Sequence, residues 1–169
     1  MLNRITIDNA ISKEDNIASI LKISESVCNK VFSKNDVSSY SNYTYDYNRP
    51  INELGLDEEL ISQLLEDYIS QIFKTYDIFH NILDNITQTK GIDKEAKLID
   101  LKNLAHKNLG VVRNLRIDDA QILLSDLMSN HQDIKHLREC VEALMGCAFK
   151  LNPDYAFNVL KLQKIKETF

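Results

Sequence analysis

The chain has 169 residues, 44% of them hydrophobic, enough for one well-buried core and too few for two full domains. With 20 Lys and Arg against 25 Asp and Glu the formal net charge is −5, so no overall basic field draws it to a nucleic-acid backbone or an anionic membrane. Four glycines and two prolines are too little punctuation for many short strands, which favours helices. Nothing near Met1 has the charged-then-apolar layout of a secretory signal, and no apolar run approaches the roughly 18 residues of a membrane span; a cytoplasmic protein with no membrane partner is expected.

From Ser12, a good N-cap followed by acids, apolar residues Ile17, Ile20, Leu21, Val27, Cys28 and Val31 recur at helical spacing. Residues 33–50 then break the period with Ser, Asn, Asp and four tyrosines and end in Pro50. They read as a long connection whose tyrosines pack as an ordered strap. Residues 1–50 are therefore an N-terminal extension to a helical bundle spanning 51–169.

Asp57 caps the next helix, with Glu58 and Glu59 in its first turn, where the macrodipole favours acids. A broad apolar stripe from Leu60 through Ile61, Leu65, Tyr68, Ile72, Phe79 and Leu83 makes it the spine of the fold. After Gly91, Asp93 is placed to cap a helix to about Leu115 carrying Leu98, Leu101, Leu104, Ala105, Val111 and Val112. Asp118 caps another through Met128, Ser129 and Gln132 stand in capping-box relation before a helix with Leu137, Val141 and Leu144, and Asn152-Pro153 opens a last helix. Short links between long amphipathic segments favour antiparallel neighbours, hence an all-α, up-and-down four-helix bundle with additional N-terminal and C-terminal helices.

The odd number of cysteines, Cys28, Cys140 and Cys147, argues against a disulfide framework, and Cys140 and Cys147 read as reduced core residues. His80 lies among apolar residues of the spine, where a hydrogen-bonded, partly buried imidazole is expected. His131 and His136 are five apart, which does not match the i, i+4 face of a helical metal pair, so no metal site is expected. No Ser-His-Asp order, glycine-rich phosphate loop or kinase nucleotide motif is present, so neither ATP binding nor autophosphorylation is expected.

His106 is different. At about 100° per residue, Lys102 and Gly110 fall about 40° to either side of it, and Arg113 and Ile99 within about 20°. This face opposes most of the apolar stripe, so His106 should point to solvent. A neutral imidazole nitrogen can attack phosphorus to give a phosphoramidate that is readily passed on. Lys102, Lys107 and Arg113 are placed to stabilise phosphoryl charge, and Gly110, with no side chain, lets a partner approach closely. The spacing fits equally a surface histidine with no task.

The stretches "LGLDEELISQLLEDYISQI" and "LIDLKNLAHKNLGVVRNLRIDDAQILLSDL", over roughly residues 54–147, resemble the histidine phosphotransfer (HPt) family of two-component systems. Its hallmark helix reads A-H-x-hydrophobic-K-G, here Ala105-His106-Lys107-Asn108-Leu109-Gly110. Three positions depart: Asn108 and Leu109 stand where the family has an apolar residue and a lysine, and Arg116 where it often has glycine. The resemblance implies a four-helix bundle whose phosphohistidine, at His106, relays phosphoryl groups in a phosphorelay between aspartates of receiver domains, on a response regulator or a hybrid sensor kinase. No cofactor of its own is implied, since Mg²⁺ comes with the receiver. The docking surface expected for signal transduction combines Ile99, Lys102, Lys107, Leu109, Gly110 and Arg113. The alternative from another class is a helical adaptor that docks on a receiver or sensor kinase and carries no phosphate.

Overall fold

In the computed structural model, residues 5–33, 43–129 and 133–167 are described. All regular structure among them is helical. The seven helices are α1 (Lys13–Phe32), α2 (Asn48–Leu54), α3 (Glu58–Gln88), α4 (Ile92–Leu115), α5 (Asp118–Ser129), α6 (Ile134–Leu151) and α7 (Pro153–Glu167). Among the described residues no helix is long and apolar enough to cross a membrane.

Side-chain caps define several of the starts. Ser12 Oγ accepts from Asp15 N at 3.1 Å, Asp57 Oδ1 from Leu60 N at 2.7 Å, and Asn152 Oδ1 from Tyr155 N at 3.2 Å ahead of Pro153. Each such cap is worth about 1 kcal/mol because it satisfies an amide the helix leaves orphaned. Three expected caps are displaced. Gly91, at φ 71°, turns the backbone into α4 so that its own carbonyl takes Glu95 N, and Asp93 is left in the first turn. Ser129 ends α5 instead of opening α6; Asp133 is the cap there, accepting from His136 N at 3.1 Å. Gln132 lies outside the described residues. Asp118 opens α5 without capping it: the carbonyl of Ile117 takes Gln121 N, and Asp118 instead receives Arg49 Nη1 at 2.7 Å.

α3 packs on α4 and α6, and α5 on α4 and α6, so these four helices close a ring. α1 lies along α6, and α7 fits against α1, α3 and α6. As a result α6 has no solvent face through its middle: every residue from Glu139 to Phe149 is buried. A helix covered all round must admit a neighbour very closely somewhere, and here it does so at Gly146, where a Cβ would lie 3.1 Å from Ser24 Cα of α1. The spine runs as its periodicity predicts, from Ile61 to Ile86, except that Leu60 is exposed.

The connection ahead of α3 folds into the short α2, which holds Pro50 and ends at Gly55 in the left-handed conformation. Its tyrosines form the expected strap. Tyr45 Oη donates to Leu115 O at 2.6 Å, Tyr43 Oη to Arg116 O at 3.2 Å and Tyr47 Oη to Leu151 O at 3.1 Å, so three phenols satisfy carbonyls at the C-terminal ends of α4 and α6. Burial pushes the Tyr43 phenol up to about 12 and raises that of Tyr45 as well, keeping both protonated as donors. Tyr40 lies outside the described residues.

Candidate functional site

α4 has two halves. From Leu101 onward it buries Leu101, Ala105, Asn108, Leu109, Val112 and Leu115, while its first turns, residues 92–96, are exposed all round. His106 is on the outer face of the packed half and is exposed, as are Lys102, Lys107, Gly110 and Arg113. Ile99, two turns before the histidine, is 58% exposed. Among the described residues none of the three cations is held in an ion pair, so their charge is available to an incoming anion. A Cβ built on Gly110 meets nothing within 4 Å.

Leu109 does not belong to this surface. It is 3% exposed and sits in the core with Ala105 and Val112, so the docking contact expected of it is corrected. Asn108 is also buried; its Nδ2 donates to Leu104 O at 2.9 Å, which satisfies the amide within the helix. Val111, expected in the apolar stripe, is exposed.

Downstream, Arg116 ends α4 at φ 61°, ψ 42°. The left-handed conformation explains why a glycine suits this position, and here an arginine is held in it by contacts: Nε donates to Glu53 Oε2 at 2.6 Å and Nη1 to Arg113 O. The Arg116 guanidinium in turn lowers the Glu53 carboxyl below its ordinary value. These contacts fix the end of the helix that carries His106.

The other histidines are internal. His80 Nε2 lies 3.0 Å from Glu142 Oε1, which also accepts the Tyr76 hydroxyl, so the imidazole is buried and hydrogen-bonded as its setting predicts. Tyr76 lines a cleft of 440 Å³ among Ile5, Ile7, Phe73, Met145 and Leu160, and His106 is not part of it. His131 lies outside the described residues. All three cysteines are reduced and buried. Cys28 and Cys147 Sγ are 3.3 Å apart, and the Cys147 thiol is pushed well above its ordinary value by its hydrogen bond to Cys28 and by burial, so it is a poor nucleophile.

Pairing histidines by their spacing missed one arrangement. Asp126 of α5 and His136 and Cys140 of α6 bring a carboxylate, an imidazole and a thiol to within 4.8 Å of one another. The i, i+4 relation of His136 to Cys140 was the readable half of this cluster; Asp126 comes from another helix, and only the fold supplies it.

No protein-family profile matches the chain, and no curated protein or solved structure is significantly similar to it.

Proposed function

We propose that the protein is a histidine phosphotransfer module: His106 accepts a phosphoryl group from the aspartyl phosphate of one receiver domain and donates it to another. The observation that carries this reading is the exposed His106 set between Lys102, Lys107 and Arg113, beside the open space at Gly110. The ring of α3, α4, α5 and α6 supports it, since helices of an up-and-down four-helix bundle with a reactive histidine on the outside of one member would pack in this order.

In this mechanism the unprotonated imidazole nitrogen attacks the phosphorus in line, the P–O bond to the aspartate breaks, and the carboxylate leaves. Catalysis is positioning and charge neutralisation. Lys102, Lys107 and Arg113 offset charge on the phosphoryl oxygens, and together they complement the acidic pocket of a receiver, which supplies Mg²⁺. Gly110 removes the side chain that would keep the partner away, and Ile99 adds an apolar contact. Leu109, buried where the resemblance has a lysine, leaves the neutralisation to the other three cations. In this reading the protein acts in the cytoplasm.

The test is intact mass at neutral pH after treatment of wild type and His106→Gln with phosphoramidate. A single acid-labile phosphoryl adduct on wild type, absent from His106→Gln, is the expected result. No adduct, or an equal adduct on both, overturns transfer and favours a docking adaptor. Receiver binding then separates that reading, because Gly110→Glu abolishes it for an adaptor while His106→Gln does not.

A further inference from the structure

We propose that Asp126, His136 and Cys140 form a binding site for a single Zn²⁺ ion that clips α5 to α6. The inference is independent of the phosphotransfer reading, since neither helix carries His106.

Three observations carry it. First, the three donor atoms all lie within 4.8 Å of one another. His136 Nε2 lies 3.0 Å from Asp126 Oδ2 and 3.5 Å from Cys140 Sγ, so the same nitrogen faces both partners. A tetrahedral ion at ordinary Zn–N, Zn–S and Zn–O lengths separates an imidazole nitrogen from a thiolate by about 3.6 Å and from a carboxylate oxygen by about 3.4 Å. The nitrogen–sulfur edge is already in place, the nitrogen–oxygen edge needs only a small opening, and the oxygen–sulfur edge, within 4.8 Å, comes to about 3.6 Å in such an ion.

Second, the donor set is selective. Thiolate and imidazole suit a borderline-soft ion held in tetrahedral geometry, whereas Mg²⁺ and Ca²⁺ require oxygen ligands throughout. The carboxylate adds negative charge to offset the dication.

Third, the surroundings combine rigidity with access. His136 is 5% exposed and Cys140 fully buried, both on one face of α6, where the Asp133 cap fixes the backbone at His136 N. The Asp126 side chain keeps 27% of its surface open, so the ion can enter there and a water can complete the fourth position. On binding, the thiol proton of Cys140 and any proton on His136 Nε2 leave to solvent, the sulfur and nitrogen lone pairs become the metal bonds, and no redox change is involved.

The experiment uses the full chain, stripped with a chelator that is then exchanged away, and titrated with Co²⁺ as a spectroscopic substitute for Zn²⁺. The proposal expects one equivalent bound, with a sulfur-to-cobalt charge-transfer band and the strong visible absorption of a four-coordinate ion, both erased by added Zn²⁺. Cys140→Ala loses the charge-transfer band, and Asp126→Asn weakens binding by at least about tenfold. Zn²⁺ raises the melting temperature of wild type and not of Cys140→Ala. Absence of binding, binding without the band, or a band that survives Cys140→Ala overturns the site. Asp126→Asn gives the same decision if Cys140→Ala does not fold, since its side chain is partly exposed and keeps an oxygen facing the imidazole.

Discussion

α6 and the outer face of α4 each carry a mid-helix glycine, and the two residues do opposite things. Around Gly146 the structure has closed: α1 lies so near that a Cβ would touch the Ser24 backbone at 3.1 Å. Around Gly110 there is nothing within 4 Å. In one case the missing side chain lets two helices meet, and the difference in stability is gained within the fold. In the other the fold gains nothing, and the helix bears about 1 kcal/mol of lost propensity with no packing in return. A glycine that costs stability without improving packing directs attention to the face it opens.

Substitutions test this contrast, and the largest effect belongs to α6. Gly146→Leu drives a branched side chain into α1, and the expected loss is about 1–3 kcal/mol or more by urea unfolding. A change confined to a few tenths would mean that α1 is not seated on α6.

The buried surroundings of α6 also set a pH dependence. Asp119 of α5 is raised above the ordinary carboxylate value, first by burial, with a Cys147 hydrogen bond, the Ala120 amide and Lys150 opposing. Below about pH 4 the side chain is protonated in folded and unfolded chains alike. As pH climbs from there towards the raised folded value, the unfolded chain releases its proton first, so stability falls. Asp119→Asn keeps an oxygen to accept from Ala120 N and removes this loss. Urea unfolding followed across pH should show the variant gaining on wild type towards neutrality and a flatter profile.

At the packed end of α4, Tyr45→Phe leaves the Leu115 carbonyl without its phenol and is expected to cost about 1 kcal/mol. Gly110→Ala should instead raise the melting temperature, by an amount equivalent to at most about 1 kcal/mol, while weakening receiver binding if the docking face is used as proposed. Smallest of all, His106→Gln should change stability by no more than about 0.5 kcal/mol. A larger loss would make His106 a structural residue and remove the contrast between the outer face of α4 and the closed packing of α6.

Most helices were legible because their caps and apolar periods are local. Ser12, Asp57 and Asn152 lie next to the amides they satisfy, and the spine repeats its stripe from Ile61 to Ile86 within a helix of 31 residues. The boundary between α5 and α6 was harder, since Ser129 and Asp133 are both competent caps and only the packing of α5 through its last turn selects the second. Leu109 shows two signals in conflict. It is four residues after Ala105 and three before Val112, a spacing that belongs to the buried stripe, whereas the family motif carries a charge there; burial decides for the stripe. His106 and its cations were legible from one helix alone. The Asp126–His136–Cys140 cluster was not, because it depends on the register of one helix against another.

The strap of tyrosines has a mechanical consequence for α4. Tyr43, Tyr45 and the Arg116–Glu53 pair grip the helix at its C-terminal end, whereas its first turns stand in solvent on every side. Such a helix behaves as a cantilever, with displacement growing away from the clamp. His106 lies on the packed portion and Ile99 nearer the free end, so under the proposed function the imidazole would be the more firmly held of the two and Ile99 the more yielding.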